Sequence, residues 1–176
     1  MGKTVLFTGD SISDGNRYKE EKDRSDLNHQ IGHSYVYVID ALIGSKYPER
    51  EIEFLNRGIS GNRVIELYGR IHEDMIDLKP DVVSILVGVN DGPQAEHGHH
   101  ATGDAYGKIY RMMLAELKEA NPEVKIVLVE PFLGKNGPVY DKDYKTWSEC
   151  IGSYQKEVRK IAEEWKLRPG KRWQTA

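Results

Sequence analysis

Cysteine is almost absent from these 176 residues: Cys150 is the only one. A single thiol cannot close an intramolecular disulfide or build a multi-cysteine zinc site. A large excess of one charge is also missing. Lys and Arg number 25 against 28 Asp and Glu, for a net charge of -3. That excludes a strongly basic nucleic-acid binder, although a local basic patch remains compatible with it. No long apolar run occurs. The first one, Thr4 to Thr8, is too short for a signal core or a spanning helix. Leu6 also breaks the myristoylation pattern that Gly2 would open. The expectation is a cytoplasmic protein without nucleic-acid or membrane partners. There is no repeat and no linker, and the length fits one domain. What is present is 39% hydrophobic and 30% charged residues, the apolar ones in separated blocks that can form a core.

Those blocks alternate between two periods. Short β-rich runs at Thr4–Thr8, Glu51–Leu55, Val82–Val87 and Lys125–Val129 each predict a buried strand. Between them lie segments with helical spacing. The first carries Tyr35, Val38, Ile39 and Leu42; the second Val64, Leu67, Ile71, Met75 and Leu78. The third carries Tyr106, Ile109, Tyr110, Met113 and Leu117; the last Trp147, Ile151, Tyr154, Val158, Ile161 and Trp165. Each set predicts one buried stripe. Ser34 and Thr146 are placed to cap the first and last helices. Pro48, Pro80 and Pro122 fall where a helix must stop before a strand. Strict β-α alternation predicts a parallel sheet with helices on both faces, a three-layer α/β/α fold. The long connections all follow strands: Asp10–His33, Asn56–Asn62, Gly88–Gly103 and Pro131–Lys145. They gather at the carboxyl edge of the sheet, where ligands bind in open α/β folds.

Chemistry-bearing residues fall on those loops. Strand one runs into Gly9-Asp10-Ser11-Ile12-Ser13. A serine just past a buried strand is held rigidly at the edge, which suits a nucleophile. It suits a helix cap or a phosphate loop equally, and Ser11 alone leaves both open. Strand two ends in Asn56-Arg57-Gly58-Ile59-Ser60-Gly61-Asn62, where two glycines let the chain turn and present a free N–H. Strand three ends in Gly88-Val89-Asn90-Asp91, where Asn90 offers an amide donor. With strand one between strands two and three, Ser11, an N–H near Gly61 and the Asn90 amide could converge. A nucleophile facing two donors is what ester cleavage needs, because the attacked carbonyl becomes an oxyanion.

The blocks Gly9-Asp10-Ser11, Gly58-Ile59-Ser60-Gly61 and Gly88-Val89-Asn90-Asp91 resemble, in order and spacing, the first three blocks of the SGNH (GDSL) hydrolases. The likeness covers about residues 4 to 165. It implies Ser11 as nucleophile, the Gly61 N–H and Asn90 as oxyanion donors, no cofactor or metal, and a flavodoxin-like sheet. The stretches Asn56–Asn62, Lys79–Ile85 and Val89–Asp91 are most similar to the acetylxylan-esterase branch. That similarity implies deacetylation of small or carbohydrate acetyl esters.

One family feature is missing. These enzymes carry a late Asp-x-x-His, after a fifth strand, that supplies the general base. Here the chain runs from Trp165 to Ala176 without Asp, His or a strand-like run. The expectation is a hydrolase domain over residues 1–166, incomplete at its final strand, then a polar tail over 167–176, truncated or read out of frame. Asp26-Leu27-Asn28-His29 matches the letters out of context and reads as incidental. His33 reads as a packing or capping residue and His72 as solvated. His97, His99 and His100 cluster in the loop after Asn90, where a base or metal role stands against a merely solvated loop. Asp14 to Asp26 holds nine charges of both signs and reads as a solvated lip. Cys150 reads as structural. Tyr140, Tyr144 and Trp147 are either sugar-stacking or core residues. Three functions follow: a serine esterase acting on a small or saccharide ester, a non-catalytic binding module on the same scaffold, or a phosphate binder. The last fits poorly, since the loop after Ser11 is charge-dense where a phosphate loop would be glycine-rich. An unpaired fourth strand would also favour a homo-oligomer.

Overall fold

The structure, a computed structural model, describes residues 2–19, 30–93, 101–135 and 138–167. Its centre is a four-stranded sheet in the order β2-β1-β3-β4. The strands are β1 (Thr4–Gly9), β2 (Glu53–Asn56), β3 (Val82–Leu86) and β4 (Lys125–Val129), and every neighbouring pair is parallel. Residues in register share a face, and successive residues alternate faces. Leu6 therefore lines up with Leu55, Val83 and, one strand further, Ile126. Phe7 lines up with Asn56 and Ser84, and Ser84 with Val127.

The first of these faces carries the larger core. Leu6, Val83, Ile85, Ile126 and Leu128 pack against α3 (Val64–Gly69), α4 (Gly103–Ala120) and α5 (Pro138–Glu164). Helix α4 buries Tyr106, Tyr110, Met113, Leu114 and Leu117 completely. Each such burial contributes about 1.5–3 kcal/mol. Thr102 caps this helix by accepting the Ala105 N–H at 3.2 Å. The second face carries a smaller cluster in which Phe7 and Ile31 meet Val36 of α2 (Tyr35–Lys46), with Tyr35 edge-on to Phe7. Helices thus cover both faces, as alternation required. Ser34 caps α2 through the Val36 N–H, as its position predicted.

Three local expectations need correction. The stripe Tyr35, Val38, Ile39, Leu42 is not the buried face of α2. Val36 is fully buried, while Val38 is 52% and Leu42 62% exposed. Among the described residues, this helix packs over Phe7 and Phe54 with the side that carries Tyr35, Val36 and Ile39. Thr146 does not begin the last helix, because helical structure already starts at Pro138 and is interrupted at Asp143 (φ -155°, ψ 41°). The second helix is shorter than its apolar spacing suggests. Helix α3 ends at Gly69, and a wide π-type turn at His72–Ile76 carries Met75 into the core.

Candidate active site

Strand β1 delivers Ser11 to the carboxyl edge. Asp10 caps the short helix α1 (Ser11–Asp14) by accepting the Ile12 N–H at 2.9 Å. Ser11 is the first helical residue and is exposed. The turn before it demands glycine: Gly9 has φ 154°, and a Cβ there would stand 2.0 Å from the Leu86 carbonyl oxygen. Among the described residues, the Ser11 and Gly61 N–H groups enter no hydrogen bond.

The loop after β2 is stitched to this turn from both sides. The Arg57 and Ile59 N–H groups donate to the Phe7 and Gly9 carbonyls at 2.7 and 3.0 Å. The Asn56 amide donates to the Ser13 and Ile31 carbonyls at 2.7 and 2.8 Å, while its own oxygen accepts the Gly58 N–H at 2.9 Å. The Ser60 N–H donates to the Asp14 carboxylate at 2.9 Å. Burial opposes charge on Asp14, but Lys19 and the Ser60 and Arg17 N–H groups hold its carboxyl below the usual range. Gly61 follows, exposed and at φ 84°.

The loop after β3 is joined to the second loop directly. Asn90 sits in a 3-10 turn over Val89–Asp91 and donates its side-chain amide to the Asn62 carbonyl at 3.1 Å. One amide hydrogen is thereby committed to the carbonyl of the residue that follows Gly61. Asp91 is buried and accepts the Val64 N–H at 3.1 Å, so it closes the start of α3. Tyr154 of α5 places its hydroxyl 2.7 Å from the Asp91 carbonyl and 2.6 Å from that of Ala101. Burial pushes Asp10 up to about 6 and Asp91 up to about 7. One oxygen of Asp10 is buried and, among the described residues, without a hydrogen-bond partner, which agrees with a carboxyl that resists ionisation.

The structure thus sets Ser11, Gly61 and Asn90 on three adjacent strand ends of one sheet edge, with the Gly61 and Asn90 loops in direct contact. Sequence reasoning did not single out Asn56, Asp91 or Arg70 as separate hubs of these loops. The signal for the first two was their position, a polar side chain at a strand end or immediately after Asn90. The other candidates lie beside these loops, on distant helices or outside the described residues. His72 is exposed and paired with Glu116 at 2.8 Å. His33 is exposed and precedes the α2 cap. Asp26, His29, His97, His99 and His100 lie outside the described residues, as does the side chain of Tyr140. Tyr144 is half-buried on α5. Trp147 is half-buried against Gly92, beside the Asn90 turn. Cys150 donates to the Tyr154 hydroxyl, and burial pushes its thiol up, which fits a structural role. Among the described residues, no group of three metal-ligating side chains occurs. No described helix is long and apolar enough to cross a membrane.

Residues 7–168 match the GDSL-like Lipase/Acylhydrolase family. The chain belongs to this family. It is a serine-type ester hydrolase by that membership and by its relatives. An acetylxylan esterase of Geobacillus stearothermophilus is 35% identical over 170 residues, which cover 93% of this chain and 73% of that one. Its solved structure superposes with a TM-score of 0.77 at 35% identity, covering 94% of this chain and 74% of that one. A GDSL-like lipase structure from Parabacteroides merdae gives a TM-score of 0.84 at 32% identity, over 94% and 75% of the two chains. Solved forms of the Geobacillus enzyme described as catalytic mutants replace a serine, an aspartate and a histidine, each by alanine.

Proposed function

We propose that this GDSL-family chain deacetylates small or carbohydrate acetyl esters through an acetyl-serine intermediate. Ser11 Oγ attacks the acetyl carbonyl and passes its proton to a base. The carbonyl oxygen gains the charge and is held by the Gly61 N–H and the Asn90 amide, with the Ser11 N–H assisting. Collapse expels the alcohol, which takes up the proton, and water then releases acetate from Ser11. The observation that carries this reading is the Asn90–Asn62 hydrogen bond. It sets an amide donor beside Gly61 at the edge that Ser11 shares. The carbohydrate part rests on the acetylxylan esterase relative. The domain is assigned to residues 1–166 with a tail at 167–176, acting in the cytoplasm.

Within these 176 residues no base is identified after Trp165. A serine hydroxyl is a weak nucleophile unless a base takes its proton. Triad enzymes stripped of one member keep about 10³–10⁴ over water. These 176 residues assayed by themselves should therefore hydrolyse p-nitrophenyl acetate at no more than that residual rate. The second reading is a binding module that keeps the cleft without turnover. Assay of the chain beside Ser11→Ala and His97→Ala decides between them. Robust turnover abolished by Ser11→Ala would overturn the low-activity reading, and loss with His97→Ala as well would place the base in that loop.

We also infer that the chain self-associates through β4. This strand is the outer one of the described sheet, and its Val127 is 37% exposed. Unpaired apolar edges recruit another strand.

A further inference from the structure

The three proposed site loops share one side chain that touches none of the reacting atoms. Arg70 stands just past α3 and is 9% exposed. Its Nε donates to Asn62 Oδ1 at 2.8 Å, and its Nη1 donates to the Arg57 carbonyl at 2.9 Å. Its Nη2 lies 3.4 Å from the Gly9 carbonyl, at the outer limit of a hydrogen bond. Asp74, one turn onward, pairs with Nη1 and so fixes the guanidinium from behind. Arg57 and Asn62 bracket Gly58-Ile59-Ser60-Gly61, and Gly9 lies two residues before Ser11. One planar fork therefore holds both ends of the second loop and the root of the first.

The contact continues to the third loop. Asn62 takes the Arg70 Nε on its side-chain oxygen, and its backbone carbonyl takes the Asn90 amide at 3.1 Å. Asn62 is a bridge whose two oxygens face two different side chains. The carbonyl that orients the Asn90 amide is thus itself placed by Arg70. A bidentate fork can fix such an arrangement in a way that the single ammonium of lysine cannot.

We propose that Arg70 is the positioning residue of the oxyanion site, holding the Gly61 loop and, through Asn62, the Asn90 amide in register with the Ser11 turn. This rests on the hydrolase reading for its purpose, but its geometry can be tested separately. Its consequence for catalysis is specific. Misplacement of a reacting group by about 1 Å can cost on the order of 10²-fold in rate.

The test compares the parent chain with Arg70→Lys and Asn62→Ala. The second variant cuts only one of the Arg70 bonds and stays informative if the first fails to fold. Nitrogen-15 relaxation reads the Gly61 backbone, and amide hydrogen exchange reads Ile59 against Leu6, Val83 and Ile85 in the core. The expected result is a fall of the Gly61 order parameter from about 0.85 to below about 0.6. The Asn90 side-chain amide signals should shift, and Ile59 exchange should rise at least about tenfold with core exchange nearly unchanged. A Gly61 order parameter and Asn90 signals like the parent's would overturn the proposal. So would a uniform rise of exchange across loop and core, which marks a merely structural arginine. A second arm follows acetylation of Ser11 by p-nitrophenyl acetate through intact mass. A saturating rate lowered about ten- to a hundredfold, at an unchanged half-saturating concentration, supports positioning. Absence of Ser11 acetylation in the parent would reflect the unidentified base and remove only this arm, while the relaxation and exchange data decide the role of Arg70 by themselves.

Discussion

Gly58 rests on the end of α1: a Cβ built there would stand 2.4 Å from the Asp14 nitrogen and 2.8 Å from the Ser13 carbonyl carbon. Both contacts are with backbone, so no side-chain rotation relieves them. The second loop reaches the nucleophile turn only because this residue has no side chain. Gly58→Ala should therefore destabilise by about 1–3 kcal/mol. Melting should fall about 2–4 °C for each kcal/mol in a chain of this size. Gly69→Ala is the control, since nothing lies within 4 Å of its Cβ position. Thermal unfolding that shows equal losses for the two would contradict the contact.

Asp10 and Asp91 make stability depend on pH in an unusual direction. Burial raises them from 3.8 to about 6 and about 7. Between the ordinary and the raised values the folded chain holds more protons than the unfolded one. Stability contributed there is present at low pH and lost as pH rises through 6 to 7. Melting temperature should accordingly fall from pH 5 to pH 8. Asp91→Asn keeps an acceptor for the Val64 N–H and removes the ionisation. It should lose less over that interval, by on the order of 2 kcal/mol at most. Parallel pH profiles for parent and variant would refute the assignment.

The two sides of α2 should respond differently to substitution. Val36 is fully buried on the inner side of this helix, and Leu42 is 62% exposed on its outer side. Val36→Ala should cost roughly 1–3 kcal/mol through the cavity it leaves. Leu42→Gln should stay within about 0.5 kcal/mol. Denaturant unfolding of both variants checks this, and the reverse ranking would restore the face read from spacing.

The proposed oxyanion role is measurable once a base is supplied. Appending a strand and an Asp-x-x-His loop after Trp165 should raise p-nitrophenyl acetate hydrolysis by orders of magnitude. In that background Asn90→Ala should lower kcat by about 10²–10³, with a smaller change in KM. A change confined to KM would mean that Asn90 binds the ground state and does not hold the developing charge.

Self-association through β4 predicts a concentration-dependent sedimentation coefficient. Val127→Glu puts a charge on the exposed side of that strand and should shift the chain toward monomer. A well-behaved parent monomer at high concentration would exclude the interface.

By itself the sequence determined the layer order and the sheet edge at which the candidate residues gather. Runs such as Val82–Val87 and Lys125–Val129 are too short and too β-branched for helices, and strict alternation with helical spacings leaves a parallel sheet. Glycines and polar residues at strand ends then marked Ser11, Gly61 and Asn90, because turns at an edge need such residues locally. Tertiary structure decided what depends on distant partners. Spacing offers α2 several apolar stripes, and only the position of Phe7 beneath it selects the one with Val36. Nothing local to Arg70 reveals that its guanidinium reaches Gly9, 61 positions earlier in the chain. Asp10 and Asp91 read as ordinary turn acids until burial raises their affinity for protons. Short-range preferences are written in neighbouring residues, whereas desolvation and bonds across loops exist only after the strands have paired.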